Sequence, residues 1–250
     1  MPEATFRFYA ELNDFLPAQC RQIGFLYCFD SHASVKHIIE SLGVPHTEVD
    51  LILINGLPVD FNCRVSDKDI VSVYPMFERL DITGITPLRV KPLRDPCFVL
   101  DTHLGKLATY LRMLGFDALY KNDFRDEELA VISSQQKRIL LTRDRGLLKR
   151  NLVTHGAYIR EERPIQQAIE VIKKFDLTST IAPFTRCLVC NARLVPVAKD
   201  EINHRLLPDT LRYFYEFVVC PVCDRTYWKG SHYDRMQKIL DFILQRVASG

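Results

Sequence analysis

The sequence predicts an α/β protein built from three parts. In the first part, two pairs of short strands flank one helix; in the second, strands alternate with amphipathic helices; the third carries two Cys-x-x-Cys pairs. Alternation of strands and helices is typical of a parallel sheet. We expect the parts to span residues 1–82, 97–180 and 181–250, with a linker over residues 83–96.

Turn and cap residues punctuate the first part. Ser34 is suited to cap a helix over residues 34–42, and Gly43 to end it. The Asn55-Gly56 pair is a turn signal between two apolar runs. The predicted strands are residues 4–12 and 25–29 before the helix, and "DLILING" and "DIVSVYP" after it.

This first part is similar to the small sulfur carriers of the ubiquitin-like, or β-grasp, fold. The similarity lies in the opening "FYAEL" and in "INGLPVD" with a later "VYP". Those carriers work through a C-terminal diglycine, whereas here Tyr74-Pro75 runs on into "MFERLDITGITPLRV". We therefore expect the fold without the carrier activity, and a protein partner as one use of the surface.

The second part follows a stretch with three prolines and one glycine, "TGITPLRVKPLRDP". The apolar run Cys97–Leu100 predicts a buried strand that ends on Asp101. Leucines and an alanine at helical spacing then predict an amphipathic helix that ends at Gly115. Further strands are predicted at "DALY", "RILLT" and "AYIR", and further helices at "DEELAVISSQQ" and "PIQQAIEVIKKF".

Three acidic residues occupy corresponding places in this pattern. Asp101 and Asp144 come at or just past the ends of strands, and Asp126 begins the helix between them. In a parallel sheet, ligands bind beyond the carboxyl ends of the strands. Clustered carboxylates repel unless a cation neutralises them, and Mg²⁺ or Mn²⁺ prefers oxygen ligands. The alternative is structural: Asp126 caps a helix and Asp144 starts a turn.

Basic residues near these acids are suited to a polyanion. Residues 94–180 carry 15 basic and 12 acidic side chains, and residues 181–250 carry 10 and 7, whereas residues 1–93 carry 8 and 12. A run of charges is also typical of a solvated face. The predicted contacts with a phosphate backbone are Lys106, Arg112, Arg143 and Arg145.

The third part carries the most specific local motif. Two Cys-x-x-Cys pairs, separated by 29 residues, can present four thiolates tetrahedrally, as a structural Zn²⁺ site requires. A redox role needs only one such pair, and we expect a hairpin or helix within the spacer. We therefore expect residues 181–250 to form a zinc ribbon and a C-terminal helix. The predicted zinc ligands are Cys187, Cys190, Cys220 and Cys223.

The expected compartment is the cytoplasm. The other four cysteines are scattered singly, which is typical of a reducing compartment. We expect no membrane association, because no apolar run approaches the roughly 20 residues that span a bilayer. The first residues also lack the profile of a signal peptide.

Taken together, residues 97–230 resemble the PIN-like ribonuclease domain of the Mut-seven C-terminal family. The matching motifs are "FVLDTHLGKLATYLRMLGFD", "DEELAVISSQQKRILLTRDRGLL", "RCLVCN" and "CPVCDRTYWKGSHYDRM". The resemblance implies an acidic cluster that binds divalent metal and hydrolyses RNA, often preceded by a ubiquitin-like domain. Its acids correspond to Asp101, Asp126 and Asp144. The usual fourth acid, a glutamate, has no direct counterpart, and its candidates are Glu127, Asp123 and Asp117.

The expected function is metal-dependent hydrolysis of RNA. Two other functions compete with it: an RNA-binding protein without catalysis, and an adaptor that docks proteins through its first and third parts. In the third part, Trp228 lies beside Tyr227, Lys229 and His232. An aromatic residue among basic ones can stack on an unpaired base, or it can pack around the zinc site.

Overall fold

The computed structural model describes residues 1–75, 86–88 and 96–248. Most of the linker predicted over residues 83–96 therefore lies outside the described residues. Within the described ranges, no helix is long and apolar enough to cross a membrane.

The N-terminal part is a five-stranded mixed sheet with one α-helix. Its elements are β1 (Glu3–Phe8), β2 (Phe25–Cys28), α1 (Val35–Ser41), β3 (Val49–Ile54), β4 (Leu57–Pro58) and β5 (Ile70–Pro75). The strand order is β2-β1-β5-β3-β4, with β1 parallel to β5 and antiparallel to β2. The predicted cap is confirmed, because the Ser34 hydroxyl accepts from the backbone N–H of His37 at 3.3 Å.

The first strand is shorter than predicted. It ends at Phe8, and residues Ala10–Phe15 form a 3-10 helix instead. The cause is Asn13, whose Nδ2 donates to the backbone carbonyls of Phe8 and Ala10, both at 2.9 Å. Asparagine side chains often compete in this way with regular backbone pairing.

The middle of the chain alternates strands and helices, as predicted. Its elements are β6 (Cys97–Leu100), α2 (Gly105–Met113), β7 (Asp117–Leu119), α3 (Asp126–Gln135), β8 (Ile139–Thr142), α4 (Arg145–Leu148), β9 (Gly156–Tyr158) and α5 (Pro164–Lys174). β6 pairs in parallel with β7, and β8 pairs in parallel with β9. α2 ends before Gly115, whose φ of 97° suits glycine and where a Cβ would overlap the carbonyl oxygen of Ala182.

The C-terminal part combines an antiparallel sheet with a long last helix. Its elements are β10 (Val195–Val197), α6 (Lys199–Ile202), α7 (Pro208–Tyr213), β11 (Phe217–Val219), β12 (Thr226–Trp228) and α8 (Ser231–Ala248). The sheet order is β10-β11-β12. Two strands, β10 and β11, and two short helices, α6 and α7, thus lie within the spacer between the cysteine pairs, as expected for an inserted hairpin or helix.

The chain divides into two compact units, each formed by two stretches of sequence. One contains Met1–Asp95 and Arg125–Tyr158, and the other contains Pro96–Phe124 and Ile159–Gly250. In the first unit, the side chain of Tyr158 packs against the core of the N-terminal sheet. In the second, α5 packs against both α2 and α8. The part boundaries given from the sequence stay predictions.

Candidate metal centres and nucleic-acid interface

The four cysteines of the C-terminal part form one compact cluster. The ligand atoms of Cys187, Cys190, Cys220 and Cys223 all lie within 4.8 Å of one another. The Sγ atoms of Cys187 and Cys223 are 3.5 Å apart, and those of Cys190 and Cys220 are 3.2 Å apart. Tetrahedral zinc with Zn–S bonds of about 2.3 Å needs sulfurs roughly 3.8 Å apart. Four soft thiol donors at this spacing can bind a zinc ion.

The two cysteine pairs sit on matching backbone turns. In the first turn, the N–H of Asn191 donates to the carbonyl of Cys187 at 3.0 Å; in the second, the N–H of Asp224 donates to the carbonyl of Cys220 at 2.9 Å. Asn191 and Asp224 both have positive φ, 72° and 60°. Each directly follows the second cysteine of its pair, where an asparagine or aspartate tolerates this conformation.

Hydrogen bonds prepare one of these thiols to ionise. Burial raises the pKa of Cys187, but the backbone N–H of Cys190 and the hydroxyl of Tyr227 lower it, with a net value of about 6. The Tyr227 hydroxyl lies 3.1 Å from that sulfur. Because thiolates are the form that binds metal, these contacts favour metal binding. They also assign Tyr227 to the packing around the cysteine cluster.

Arg112 joins α2 to the first cysteine turn and does not face solvent. It is 4% exposed, and its Nη1 donates to the carbonyls of Leu188 at 3.1 Å and Val189 at 2.8 Å. Its Nε donates to the carbonyl of Ala118 at 2.9 Å. Burial lowers the pKa of this guanidinium. The prediction of an RNA contact at Arg112 is therefore corrected, because this side chain has no exposed surface for a phosphate.

Asn191 makes a second connection to the same region, and the sequence analysis did not identify it. Its Oδ1 accepts from the backbone N–H of Ala118 at 3.0 Å, and its Nδ2 donates to Asp117 Oδ1 at 2.8 Å. Asp117 Oδ2 also lies 3.5 Å from Arg186 Nη2. Asp117, one candidate for the fourth acid, is thus engaged by the C-terminal part. The sequence feature that could have indicated this role is the asparagine directly after the "CLVC" pair.

Asp101 lies directly after β6, where the sequence predicts it. Its Oδ1 accepts from the backbone N–H of Thr102 at 2.6 Å and caps the following 3-10 turn. The carboxylate is half-buried. Lys106, one turn further along the chain, is exposed.

Asp144 is the N-cap of α4, a short helix that the sequence analysis did not predict. Its Oδ1 accepts from the backbone N–H groups of Gly146 at 2.6 Å and Leu147 at 3.3 Å. Neither bond uses Oδ2, and the side chain is exposed. Asp144 thus has a structural role as a helix cap, where the alternative raised from the sequence was the start of a turn, and its Oδ2 takes no part in the cap.

Asp126 is the first residue of α3, and the guanidinium of Arg150 lies close to both its carboxylate and that of Glu127. Arg150 Nη2 lies 3.6 Å from Asp126 Oδ2 and 3.0 Å from Glu127 Oε1. Glu127 also hydrogen-bonds its own backbone N–H, and together these contacts lower its pKa. Arg150 was not among the site residues predicted from the sequence, although it ends the charged run "RDRGLLKR". Asp123, the remaining candidate for the fourth acid, is exposed.

The two arginines beside Asp144 are both exposed at the surface. Arg143 precedes the cap and Arg145 opens α4. The guanidinium of Arg145 lies 4.9 Å from the ring centre of Phe15 and 5.5 Å from that of Tyr158. Cation–π contacts of this length hold the guanidinium in a defined orientation.

Comparison with protein families agrees with this architecture. Residues 96–240 match the family described as the Mut7-C RNAse domain, and residues 1–81 match the one described as Mut7-C ubiquitin. No curated protein and no solved structure matches the chain. Because the first match covers more than half of the 250 residues, the chain belongs to the Mut7-C RNAse domain family and carries a Mut7-C ubiquitin domain at its N-terminal side.

Proposed function

We propose that this protein is a divalent-metal-dependent ribonuclease that hydrolyses RNA phosphodiesters. The observation that carries the proposal is the match of residues 96–240 to an RNAse domain family. The matched range contains all three acids that the sequence analysis assigned to catalysis: Asp101, Asp126 and Asp144. We also propose that the four-cysteine cluster binds a structural zinc ion, and that the protein acts in the cytoplasm.

The place of each acid on its own strand or helix supports a role in binding magnesium or manganese. Asp101 directly follows β6, and Asp144 comes two residues after the end of β8, both in strands with parallel partners. Carboxylates at the carboxyl ends of parallel strands are placed where such folds bind their ligands. Asp144 is exposed and Asp101 and Asp126 are partly exposed, which suits a hard cation that keeps several waters.

In this proposal the acidic side chains would bind the cation and the basic side chains would bind the RNA phosphates. The bound cation would supply Lewis-acid chemistry and an activated water. Asp144 would offer Oδ2, since Oδ1 already accepts from two backbone N–H groups of α4. Lys106, Arg143 and Arg145 would hold phosphate oxygens and stabilise the charge that develops on them.

A second function, RNA binding without cleavage, is supported by the contacts of two of these acids. Asp144 caps α4, and Asp126 faces Arg150 across 3.6 Å. Neither contact requires a metal ion, so both carboxylates have a structural reason to be present. Under this alternative, the acids would stabilise the fold and the basic residues would bind RNA.

The test is purified full-length protein incubated with Mn²⁺ and a mixture of small RNAs, with products read on a gel. We expect cleavage by the wild type and by the control Asp241→Asn, which alters an exposed carboxylate on α8. Asp144→Asn should abolish cleavage, because it removes the charge and keeps an oxygen for the cap. Wild-type protein that binds RNA and never cuts it would support the second function instead.

A further inference from the structure

A cavity of about 650 Å³ lies between the C-terminal sheet and the first turns of α8. Its size is within the range of small-molecule sites, roughly 300–1,000 Å³. It does not include the cysteine sulfurs or any of the proposed catalytic acids. Six aromatic residues contribute to its lining: Phe184, Tyr215, Phe217, Tyr227, Trp228 and Tyr233.

These rings differ in how much surface they leave open. Phe217 is buried, and Phe184 packs against Tyr233 with ring centres 4.7 Å apart. Trp228 is 38% exposed and Tyr215 is 76% exposed. Trp228 and Tyr215 therefore both line the cavity and remain partly accessible to solvent.

The side chains of Trp228 and its neighbour Tyr227 contact different parts of the protein. Tyr227 directs its hydroxyl to the cysteine cluster, 3.1 Å from Cys187 Sγ. Trp228 packs beside Phe217 at 6.4 Å between ring centres. At Gly230, an added Cβ would lie 2.9 Å from Trp228 Nε1, so the glycine makes room for the indole. Packing around the zinc site thus accounts for Tyr227 and leaves Trp228 to be explained.

Charged groups surround the cavity without adding a strong field of one sign. Lys229 Nζ lies 2.6 Å from Glu216 Oε2, and the two largely neutralise each other. Lys199 Nζ lies 4.4 Å from the ring centre of Tyr215, and His232 contributes to the lining. The wider segment over residues 181–250 carries an excess of three basic side chains. The aromatic lining of the cavity suits a flat aromatic group, and the basic excess of the wider segment suits an anionic backbone attached to it.

We propose that this cavity binds an unpaired base of single-stranded RNA, stacked on Trp228 and Tyr215. The inference rests on the proposed function, because it takes RNA as the ligand, but it does not depend on metal or on cleavage. Stacking on aromatic side chains tolerates any base and requires that the base be unpaired. The cavity would then hold an unpaired nucleotide of a single-stranded substrate.

The test uses the single tryptophan of the chain as its own reporter. Full-length protein, without added Mg²⁺ or Mn²⁺, is titrated with a single-stranded oligoribonucleotide of about eight nucleotides. Tryptophan fluorescence should be quenched as the strand binds. An abasic strand with the same number of phosphates, and an RNA duplex of the same length, should cause little quenching.

Two exposed tyrosines provide a matched pair of variants. Tyr215 lines the cavity, whereas Tyr213 is 61% exposed and does not. Tyr215→Ala should weaken binding by about fivefold or more, from the usual contribution of one stacked base. Tyr213→Ala should bind as the wild type does. Because stacking releases no counterions, the slope of log affinity against log salt should be equal in all three proteins.

Several outcomes would overturn this inference. Fluorescence anisotropy of a labelled strand detects RNA binding independently of tryptophan. If RNA binds by this measure and tryptophan emission does not change, stacking at Trp228 is excluded. Equal quenching by the abasic strand would also exclude stacking at Trp228, and equal affinities of the two tyrosine variants would exclude stacking on Tyr215. If only the ribonuclease proposal is wrong, RNA will still quench tryptophan fluorescence, but no Mn²⁺-dependent cleavage products will form. A protein that cuts RNA without quenching would refute only the cavity.

Discussion

Arg145 donates a hydrogen bond from Nη1 to the backbone carbonyl of Phe15 at 3.3 Å. Its guanidinium also lies over the Phe15 ring, so a residue next to Asp144 is held by the N-terminal part of the chain. The two residues are 130 positions apart in sequence and lie in the same compact unit. The ubiquitin-like residues therefore help to fix the position of a side chain that we propose to contact RNA.

The first prediction concerns this contact. Arg145→Ala should lower the free energy of unfolding by about 1 kcal/mol, the usual scale of a partly exposed cation–π contact with one hydrogen bond. Arg145→Lys should recover little of the loss, because lysine lacks the planar guanidinium. Urea denaturation measures both. A lysine variant as stable as the wild type would show that the orientation of the guanidinium is unimportant.

His46 makes a second contact between the same two stretches. Its Nδ1 lies 2.7 Å from Glu40 Oε1, and its Nε2 lies 2.9 Å from the carbonyl of Val153. The side chain is almost fully buried, so His46→Ala should lower the free energy of unfolding by about 1–3 kcal/mol. The control is His32→Ala, at an exposed position. Equal urea midpoints for the two variants would contradict a role for His46 in joining the stretches.

These contacts mark the limit of what the sequence could predict. Periodicity and end signals were sufficient for most of the longer strands and helices before residue 180, because those patterns are local, but they made β1 too long and missed α4. The sequence did not show that Arg112, on a helix with ordinary spacing, would be buried against carbonyls of Leu188 and Val189. Nor did it show that Arg150 would face Asp126, since both pairings depend on tertiary packing. The four cysteines were predictable because ligand type and spacing are themselves local.

The cysteine cluster leads to the third prediction. Purified protein should contain about one zinc per chain, and Cys187→Ser should release it and make residues 187–223 sensitive to protease. Metal binding and folding are coupled in such sites, so losing one ligand loosens the segment. Cys28→Ser, at an exposed free cysteine, is the control. Metal analysis by mass spectrometry decides the point, and zinc-free wild-type protein would refute the site.

The fourth prediction separates the two roles of Asp144. Asp144→Ala removes the acceptor for two backbone N–H groups of α4 and should cost about 1 kcal/mol, whereas Asp144→Asn keeps an acceptor and should cost little. Both variants should lose the rise in melting temperature that Mn²⁺ gives the wild type. Thermal unfolding with and without Mn²⁺ measures the two effects. An asparagine variant that Mn²⁺ still stabilises would exclude Asp144 as a metal ligand.

The last prediction concerns the titration of Glu127. Its own backbone N–H and the guanidinium of Arg150 lower its pKa below the ordinary value of 4.5. Arg150→Gln should raise that pKa part of the way back, because the backbone contact remains, and NMR of the side-chain carboxyl measures it. Arg125→Gln should raise it less, because Arg125 contributes only a weaker charge effect.

The sign of the stability effect follows from the direction of this shift. A lowered pKa in the folded state favours the ionised form, so its contribution is present above the unfolded pKa and is lost as pH falls through the folded value. The stability difference between the wild type and Arg150→Gln should therefore be present at pH 7 and shrink on acidification below about pH 4.5. A difference that is constant across this range would mean that Arg150 stabilises the fold through packing and not through its charge on Glu127.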